Sequence, residues 1–148
     1  MNVSDPYDLA RFRTAQRSIF EAALAELRAG RKQTHWMWFI FPQMRGLGHS
    51  PTAQFYGISS IDEAHAYLED PILGERLRLA TAAALVVEGR SAHAIFGAPD
   101  DMKFRSSMTL FSLAAEGTAA SPFQAALDRF FEGEPDPQTL DLLERQKP

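Results

Sequence analysis

The segment from His35 to Gln43 constrains the fold more than any other part of this sequence. It reads His-Trp-Met-Trp-Phe-Ile-Phe-Pro-Gln and contains both tryptophans of the chain. Each aromatic side chain removes about 150–250 Å² from water on burial, so at about 25 cal/mol per Å² this segment can anchor a core. A continuous apolar run fits either a buried strand or a buried helical turn. We predict that residues 35–43 are buried, and since no partner strands are evident, helix or irregular structure is favoured.

Size and composition predict a single domain over residues 1–148. The chain is 45% apolar, and a domain of this length buries about two-thirds of its unfolded surface. Its net charge is −4 and its basic residues are scattered apart from Arg31-Lys32, which argues against a nucleic-acid partner. The absence of cysteine excludes disulfides, zinc ribbons and a thiol nucleophile. No signal-peptide pattern or span of about 20 apolar residues is present, so we expect a cytoplasmic protein without a membrane partner. We expect it to be a monomer or a homodimer.

Proline follows a good N-cap residue at several positions, a pattern that is typical of helix starts. These dipeptides are Asp5-Pro6, Ser50-Pro51, Asp70-Pro71, Ser121-Pro122 and Asp136-Pro137. Together with apolar residues at helical spacing, they predict an all-α fold of about six to eight helices. Besides the helix begun at Ser50-Pro51, the expected helices cover 6–29, 60–68, 71–88, 91–96, 101–115, 121–131 and 136–145.

The histidines do not form a recognisable metal motif. They lie at positions 35, 49, 65 and 93, without the His-Glu-x-x-His or His-x-His spacing of a site on one helix. The nucleophile elbow of hydrolases, the P-loop and the dinucleotide-binding glycine pattern are also missing. We therefore predict neither a metal nor a cofactor.

Three features remain as candidates for a binding site. The turn Arg45-Gly46-Leu47-Gly48-His49-Ser50 combines flexible glycines, a cation and a capped helix start, which can expose backbone N–H groups to an anion. The alternative interpretation is a plain turn with an ordinary cap.

The second feature is a helix that places Lys103, Ser106 and Ser107 on one face. If partly buried, this lysine could act as a base or as a phosphate ligand. Alternatively it is a solvated lysine paired with Asp100 or Asp101, and the hydroxyl residues simply allow close packing.

The third feature is the aromatic segment itself. His35 and Gln43 at its ends could hydrogen-bond a ligand, with Trp36 and Trp38 as apolar walls. The alternative is that all four residues belong to the core.

Several motifs together give the sequence a resemblance to a known family. They are Gly30-Arg31-Lys32, residues 35–43, Gly46-Leu47-Gly48-x-Ser50, Tyr67-Leu68-x-x-Pro71-x-Leu73-Gly74-x-Arg76-Leu77 and Ile95-Phe96-Gly97-x-Pro99-Asp100-x-x-Lys103-x-x-Ser106-Ser107-Met108-Thr109-Leu110-Phe111. Over nearly the whole chain they resemble the bacterial family catalogued as domain of unknown function 1810. This resemblance implies a mainly α-helical single domain and supplies no established reaction.

The family resemblance brings one functional label and one departure from the pattern. Some members are called calpastatin, which implies a protease inhibitor, but such inhibitors are flexible chains of low hydrophobicity and this sequence has an aromatic-rich core. Asp70 stands where many relatives are expected to have histidine, so no catalytic role is assigned there. A fainter likeness in size and helical pattern is to the NADAR family, associated with ADP-ribose and related N-glycosides.

We predict a pocket for a small anionic metabolite, phosphorylated or nucleotide-like. The expected ligand-binding residues are Trp36, Trp38, Gln43, Arg45, Gly46, Gly48, Ser50, Ser106 and Ser107. If the pocket is catalytic, metal-independent hydrolysis of ADP-ribose or N-glycoside type is the simplest chemistry. The candidate catalytic residues are His35, Lys103, Asp100 and Asp101. The alternative function is a non-enzymatic protein-interaction module that uses the aromatic segment.

Overall fold

Ten helices form the secondary structure of residues 5–116 and 121–147, the parts of the chain described by this computed structural model. They are α1 Ala10–Gln16, α2 Phe20–Arg28, α3 Met37–Ile40, α4 Pro51–Tyr56, α5 Ile61–Glu69, α6 Leu73–Leu85, α7 Ala92–Phe96, α8 Asp100–Ala114, α9 Pro122–Phe131 and α10 Pro137–Arg145. No strand occurs within these ranges, and none of their helices is long and apolar enough to cross a membrane. The all-α prediction is confirmed, with slightly more helices than expected. Residues 1–4, 117–120 and 148 of the predicted domain lie outside the described residues.

Side-chain caps begin five of the ten described helices, at residues where the sequence predicts helix starts. Ser50 Oγ accepts a hydrogen bond from Ala53 N at 3.1 Å at the start of α4, and Ser60 caps α5 in the same way. Asp136 Oδ2 accepts from Thr139 N at 3.1 Å and begins α10. A cap of this kind stabilises a helix by about 1 kcal/mol, because it satisfies a backbone donor that has no partner within the helix.

The first predicted helix, 6–29, is wrong in its extent, because the structure divides it into α1 and α2. Gln16 ends α1 and is fully buried. Its side-chain Nε2 donates to Phe39 O at 2.6 Å and to Tyr67 Oη at 2.9 Å. The chain turns at residues 17–19 before α2 begins at Phe20. These tertiary contacts outweigh the local helix propensity, which is a weak determinant on its own.

Helix α8 lies at the centre of the core. It packs against α5, α7, α9 and α10, and Phe104, Met108 and Phe111 on its inner face are fully buried. The Phe104 ring meets the Phe41 ring edge-on at 5.0 Å and stacks with the Phe96 ring at 4.5 Å. The apolar repeat predicted for this helix therefore identifies its buried face correctly.

Residues 36–37 and 40–43 of the aromatic segment are buried, as predicted, but His35 is exposed and Trp38 and Phe39 are only half-buried. The segment consists of one helical turn followed by irregular chain. Trp36 has no exposed surface, and Phe41 is also buried beside it. After α3 the chain runs past α4 and forms an isolated bridge between Met44 and Ile58. This path places Trp38 and Gln43 next to the start of α8.

Glu26 at the end of α2 fixes the loop that leads into the aromatic segment. Its carboxylate accepts hydrogen bonds from Gln33 N at 2.6 Å, Thr34 N at 2.9 Å, Thr34 Oγ1 at 2.6 Å and Trp36 Nε1 at 3.0 Å. Burial acts to raise the pKa of Glu26, but these hydrogen bonds outweigh it and lower the pKa to about 2. The ionised carboxylate of Glu26 is therefore the form that the folded protein stabilises.

We expect Glu26→Gln to destabilise the protein by about 1 kcal/mol at neutral pH, because the loop loses bonds to a charged acceptor that is partly screened by solvent. The pKa of Glu26 is lower in the folded protein than its ordinary value of 4.5. Its stabilising effect is therefore present above pH 4.5 and is lost as the pH falls towards about 2. Urea unfolding across this range measures the difference between variant and wild type. A constant difference at all pH values would contradict the prediction, and Glu21→Gln, exposed on the same helix, is the control.

Candidate ligand-binding cleft

An open cleft of about 530 Å³ lies between the aromatic segment, the first half of α8 and the start of α10. It combines aliphatic, aromatic, amide and charged side chains. The lining residues are Trp38, Gln43, Leu47, Gly48, Pro99, Met102, Lys103, Arg105, Ser106, Asp136, Pro137 and Gln138. This mixture of apolar surface with a few polar groups is typical of small-molecule sites.

The ammonium group of Lys103 is held over the ring of Trp38. Its Nζ lies 4.0 Å from the ring centroid and 3.0 Å from Asp100 Oδ1. A cation at this distance is attracted by the ring electrons and gains about 0.5–1 kcal/mol at a partly exposed site. The two contacts fix the position of the positive charge on the cleft surface.

Asp100 is shared by two lysines. Lys32 Nζ lies 2.9 Å from Asp100 Oδ2, on the side away from Lys103. Burial acts to raise the pKa of Asp100, but hydrogen bonds and charge interactions with Lys32 and Lys103 outweigh it and hold the pKa below its ordinary value. Two ammonium groups on one carboxylate leave this cluster with a net positive charge.

A second wall of the cleft is built on the buried carboxylate of Asp136. Its Oδ2 accepts hydrogen bonds from Ser106 Oγ at 3.0 Å, Thr139 Oγ1 at 2.5 Å and Thr139 N at 3.1 Å. Asp136 N donates to Thr109 Oγ1 at 2.8 Å. These bonds fasten the start of α10 to α8, so the wall is rigid.

Gly48 brings the loop after the aromatic segment close to Trp38. A Cβ atom at this position would lie 2.8 Å from Ala53 Cβ and 3.5 Å from Trp38 Cη2. The first distance is too short for two carbon atoms, so the loop would have to move. A glycine here allows the close approach that shapes this side of the cleft.

Comparison with known proteins identifies the family. A family model described as "Protein of unknown function (DUF1810)" matches residues 6–143. This chain belongs to the DUF1810 family. A solved structure, that of the conserved hypothetical protein Rv1873 from Mycobacterium tuberculosis, is 51% identical and superposes with a TM-score of 0.91, covering 95% of this chain and 99% of that one. No functionally curated protein matches the chain. The resemblance inferred from the motifs is confirmed.

The structure of this DUF1810 protein brings five of the predicted ligand-site or catalytic residues together. Those that line the cleft are Trp38, Gln43, Gly48, Lys103 and Ser106. Asp100 adjoins them through its bond to Lys103. They come from three of the motifs given above, residues 35–43, 46–50 and 95–111. The packing of α3 against α8 brings the third motif to the first.

Two predicted pocket residues are buried elsewhere. Trp36 has no exposed surface, so it cannot form a wall of the cleft, and its indole N–H is bound by Glu26. Ser107 is also fully buried, and its Oγ has no hydrogen-bond partner among the described residues. Since consecutive helical residues diverge by about 100° around the axis, Ser107 faces the core whereas Ser106 faces the cleft.

The remaining predicted residues lie outside the cleft. His35 is exposed and does not line it. Arg45 donates to Gln54 O and Gly57 O, both at 3.1 Å, and so fastens the end of α4 instead. Ser50 is the N-cap of α4, Gly46 lines a neighbouring concavity with Leu142, and Asp101 bonds to Met102 N and lies near His93.

Sequence reasoning missed the contribution of residues 134–138. The pattern Asp136-Pro137 predicts only a helix start, which it forms, although the Asp136 carboxylate also lines the cleft. Arg105 was also missed, and it donates to Glu134 O at 2.9 Å and Pro135 O at 3.0 Å. No local pattern could reveal these contacts, because Ser106 and Asp136 lie 30 residues apart.

Proposed function

We propose that the cleft binds a small anionic metabolite with sugar-like or nucleotide-like character. The observation that carries this proposal is the ammonium group of Lys103, fixed on the cleft surface by Trp38 at 4.0 Å and by Asp100 at 3.0 Å. An ammonium group has three donors, and Asp100 takes one of them. The others are available to a phosphate or carboxylate of the ligand.

The second wall favours a ligand that carries hydroxyl groups. Asp136 accepts its side-chain hydrogen bonds through Oδ2, so Oδ1 has no partner among the described residues. The single hydroxyl proton of Ser106 is directed to Asp136 Oδ2 and Met102 O, so Ser106 has no further proton to donate to a ligand. Both groups therefore accept rather than donate. A ligand with its anionic group at Lys103 and its hydroxyls towards Asp136 satisfies the two walls together.

The geometry of the cleft supports ligand binding more than hydrolysis. Of the candidate general bases, His35 and Asp101 do not line the cleft. Asp100 is held ionised by two lysines, which makes it a weak base. The alternative role of the aromatic segment in docking a protein is also disfavoured, because most of its apolar side chains are buried.

We expect Lys103→Met to abolish ligand binding while leaving the unliganded melting temperature within a few degrees of wild type. The measurement is a thermal-shift screen with nucleotides, NAD, ADP-ribose and sugar phosphates. A ligand at about 100 times its Kd adds about 2.7 kcal/mol of stability, which raises the Tm of a domain of this size by several degrees. The wild type should respond to one phosphorylated class, and the variant should not.

Lys147→Met is the matched control for this experiment. Lys147 forms an ion pair with the carboxylate of Glu144 at 3.0 Å, three residues away, as Lys103 does with Asp100, but it does not line the cleft. The control should retain the full ligand response. If Lys103→Met keeps the response, or if no phosphorylated compound shifts the wild type, the proposal is wrong.

A further inference from the structure

A second group of cationic side chains lies away from the cleft, between α1 and the start of α6. Arg13, Arg17 and Arg76 line a concavity of about 260 Å³ together with Thr14 and Ile72. A neighbouring concavity of about 310 Å³ continues it and contains Arg17 and Arg76 together with the carboxylates of Glu21 and Glu75, whereas no carboxylate of the described residues lines the first one. None of these residues lines the proposed metabolite cleft.

Among the described residues, only Arg13 of the three arginines forms ion pairs with carboxylates. Arg13 Nη1 lies 2.5 Å from Asp70 Oδ2, and its Nη2 lies 3.4 Å from Asp5 Oδ2. Arg76 forms no ion pair within the described residues, and Arg17 has neither an ion pair nor a hydrogen bond from its side chain there. Two guanidinium groups without an ion pair line the first concavity, so an anion bound between them gains two charge-assisted partners.

Two neighbouring side chains position Arg76. Its Nη1 donates to Gln16 Oε1 at 3.3 Å, and its guanidinium carbon lies 5.4 Å from the centroid of the Phe20 ring. Gln16 is itself fixed by bonds to Phe39 O and Tyr67 Oη. A planar donor that is already oriented loses little conformational freedom on binding an oxyanion.

Arg17 lies at this place because the first helix is interrupted. It is the C-cap residue of α1, immediately before the turn that leads into α2. The position of this residue therefore depends on the helix break described above.

We propose that Arg17 and Arg76, assisted by Arg13, form a binding site for a phosphate group, distinct from the cleft. Guanidinium groups bind phosphate oxygens through paired, charge-assisted hydrogen bonds, which suits them to this anion. Ile72 and Leu79 are 45% and 44% exposed beside the arginines, and they can contact an apolar part of the same ligand. The phosphate belongs either to a small molecule or to a lipid headgroup.

The test for a small-molecule phosphate is calorimetric titration of the full chain with inorganic pyrophosphate. Arg17→Glu should weaken binding at this site by about ten-fold or more. It removes one guanidinium group and introduces a carboxylate, whose negative charge repels the phosphate. Arg17 is exposed, so this variant should fold normally. Lys103→Met should leave the site unaffected, which separates this proposal from that for the cleft.

Arg28→Glu is the charge-matched control, because Arg28 is exposed in the last turn of α2 and lies outside both concavities. It should bind pyrophosphate as the wild type does. If Arg28→Glu and Arg17→Glu weaken binding equally, attraction is nonspecific and the site is refuted.

Co-sedimentation with phosphatidylcholine vesicles, with and without phosphatidic acid, tests a lipid-borne phosphate. Binding that requires phosphatidic acid and is lost in Arg17→Glu supports the site with a lipid ligand. Pyrophosphate binding that is lost in the same variant supports it with a small-molecule ligand. If the wild type binds neither probe, the proposal is overturned.

Discussion

Glu63→Ala is expected to destabilise the protein by about 3–5 kcal/mol, because it leaves the buried guanidinium group of Arg11 without its counter-charge. Arg11 Nη2 and Glu63 Oε2 are 2.7 Å apart, and the two side chains are only 6% and 2% exposed. The other oxygen of Glu63 accepts from Ser59 N at 2.9 Å and from Ser59 Oγ at 2.7 Å. Alanine removes all of these interactions at once.

The network around this ion pair explains why its loss has a large effect. The remaining donors of Arg11 bond to the backbone oxygens of Tyr7, Asp8, Phe55 and Gly57. One side chain therefore joins the chain before α1 to the end of α4, and Glu63 on α5 balances its charge. A buried cation without its anion must either attract water or move, and both responses disturb these contacts.

Urea unfolding of Glu63→Ala, Glu63→Gln and Asp62→Ala measures the effect. Glu63→Gln keeps the shape and part of the hydrogen bonding, so we expect an intermediate loss of stability. Asp62 is the adjacent residue on α5 and is exposed, so its replacement should cost about 0.5 kcal/mol or less. Equal stability of Glu63→Ala and Asp62→Ala would show that the ion pair contributes nothing.

The starts of the helices with side-chain caps were predictable from the sequence because their causes are local. The Ser60 cap bonds to a backbone N–H only three residues away, and the Asp136 cap does the same. The division of the first helix was not predictable in this way. It depends on Gln16, whose partners Phe39 and Tyr67 lie 23 and 51 residues away, and no periodic pattern in one segment reports such a contact.

The sequence predicted several residues of the candidate site, but it did not predict how they are arranged in space. Lys103 and Asp100 are three residues apart on one helix, so their pairing could be considered as an alternative from spacing alone. The position of Lys103 over Trp38 and the wall formed by Asp136 depend on how distant helices pack. Pattern alone does not distinguish Trp36 from Trp38, because both belong to the same apolar run.

The structure distinguishes these two tryptophans, and Trp36→Ala is expected to destabilise the protein by about 3–5 kcal/mol. The indole of Trp36 is fully buried beside Phe41, with ring centroids 6.2 Å apart, and its N–H is bound by Glu26. Its removal leaves a cavity in the core and a carboxylate short of one donor. Trp38 is half-buried and lines the cleft, so Trp38→Ala should cost only about 1–2 kcal/mol.

Urea unfolding and the ligand-induced shift in Tm together separate the two roles. We expect Trp36→Ala to lose stability and, under conditions where it remains folded, to keep its ligand response, because Trp36 does not reach the cleft. Trp38→Ala should show the reverse, since Lys103 loses the ring that positions its ammonium group. If Trp38→Ala binds the ligand as the wild type does, the contact between Lys103 and Trp38 is not needed for binding. If Trp36→Ala is as stable as wild type, the aromatic segment does not anchor the core.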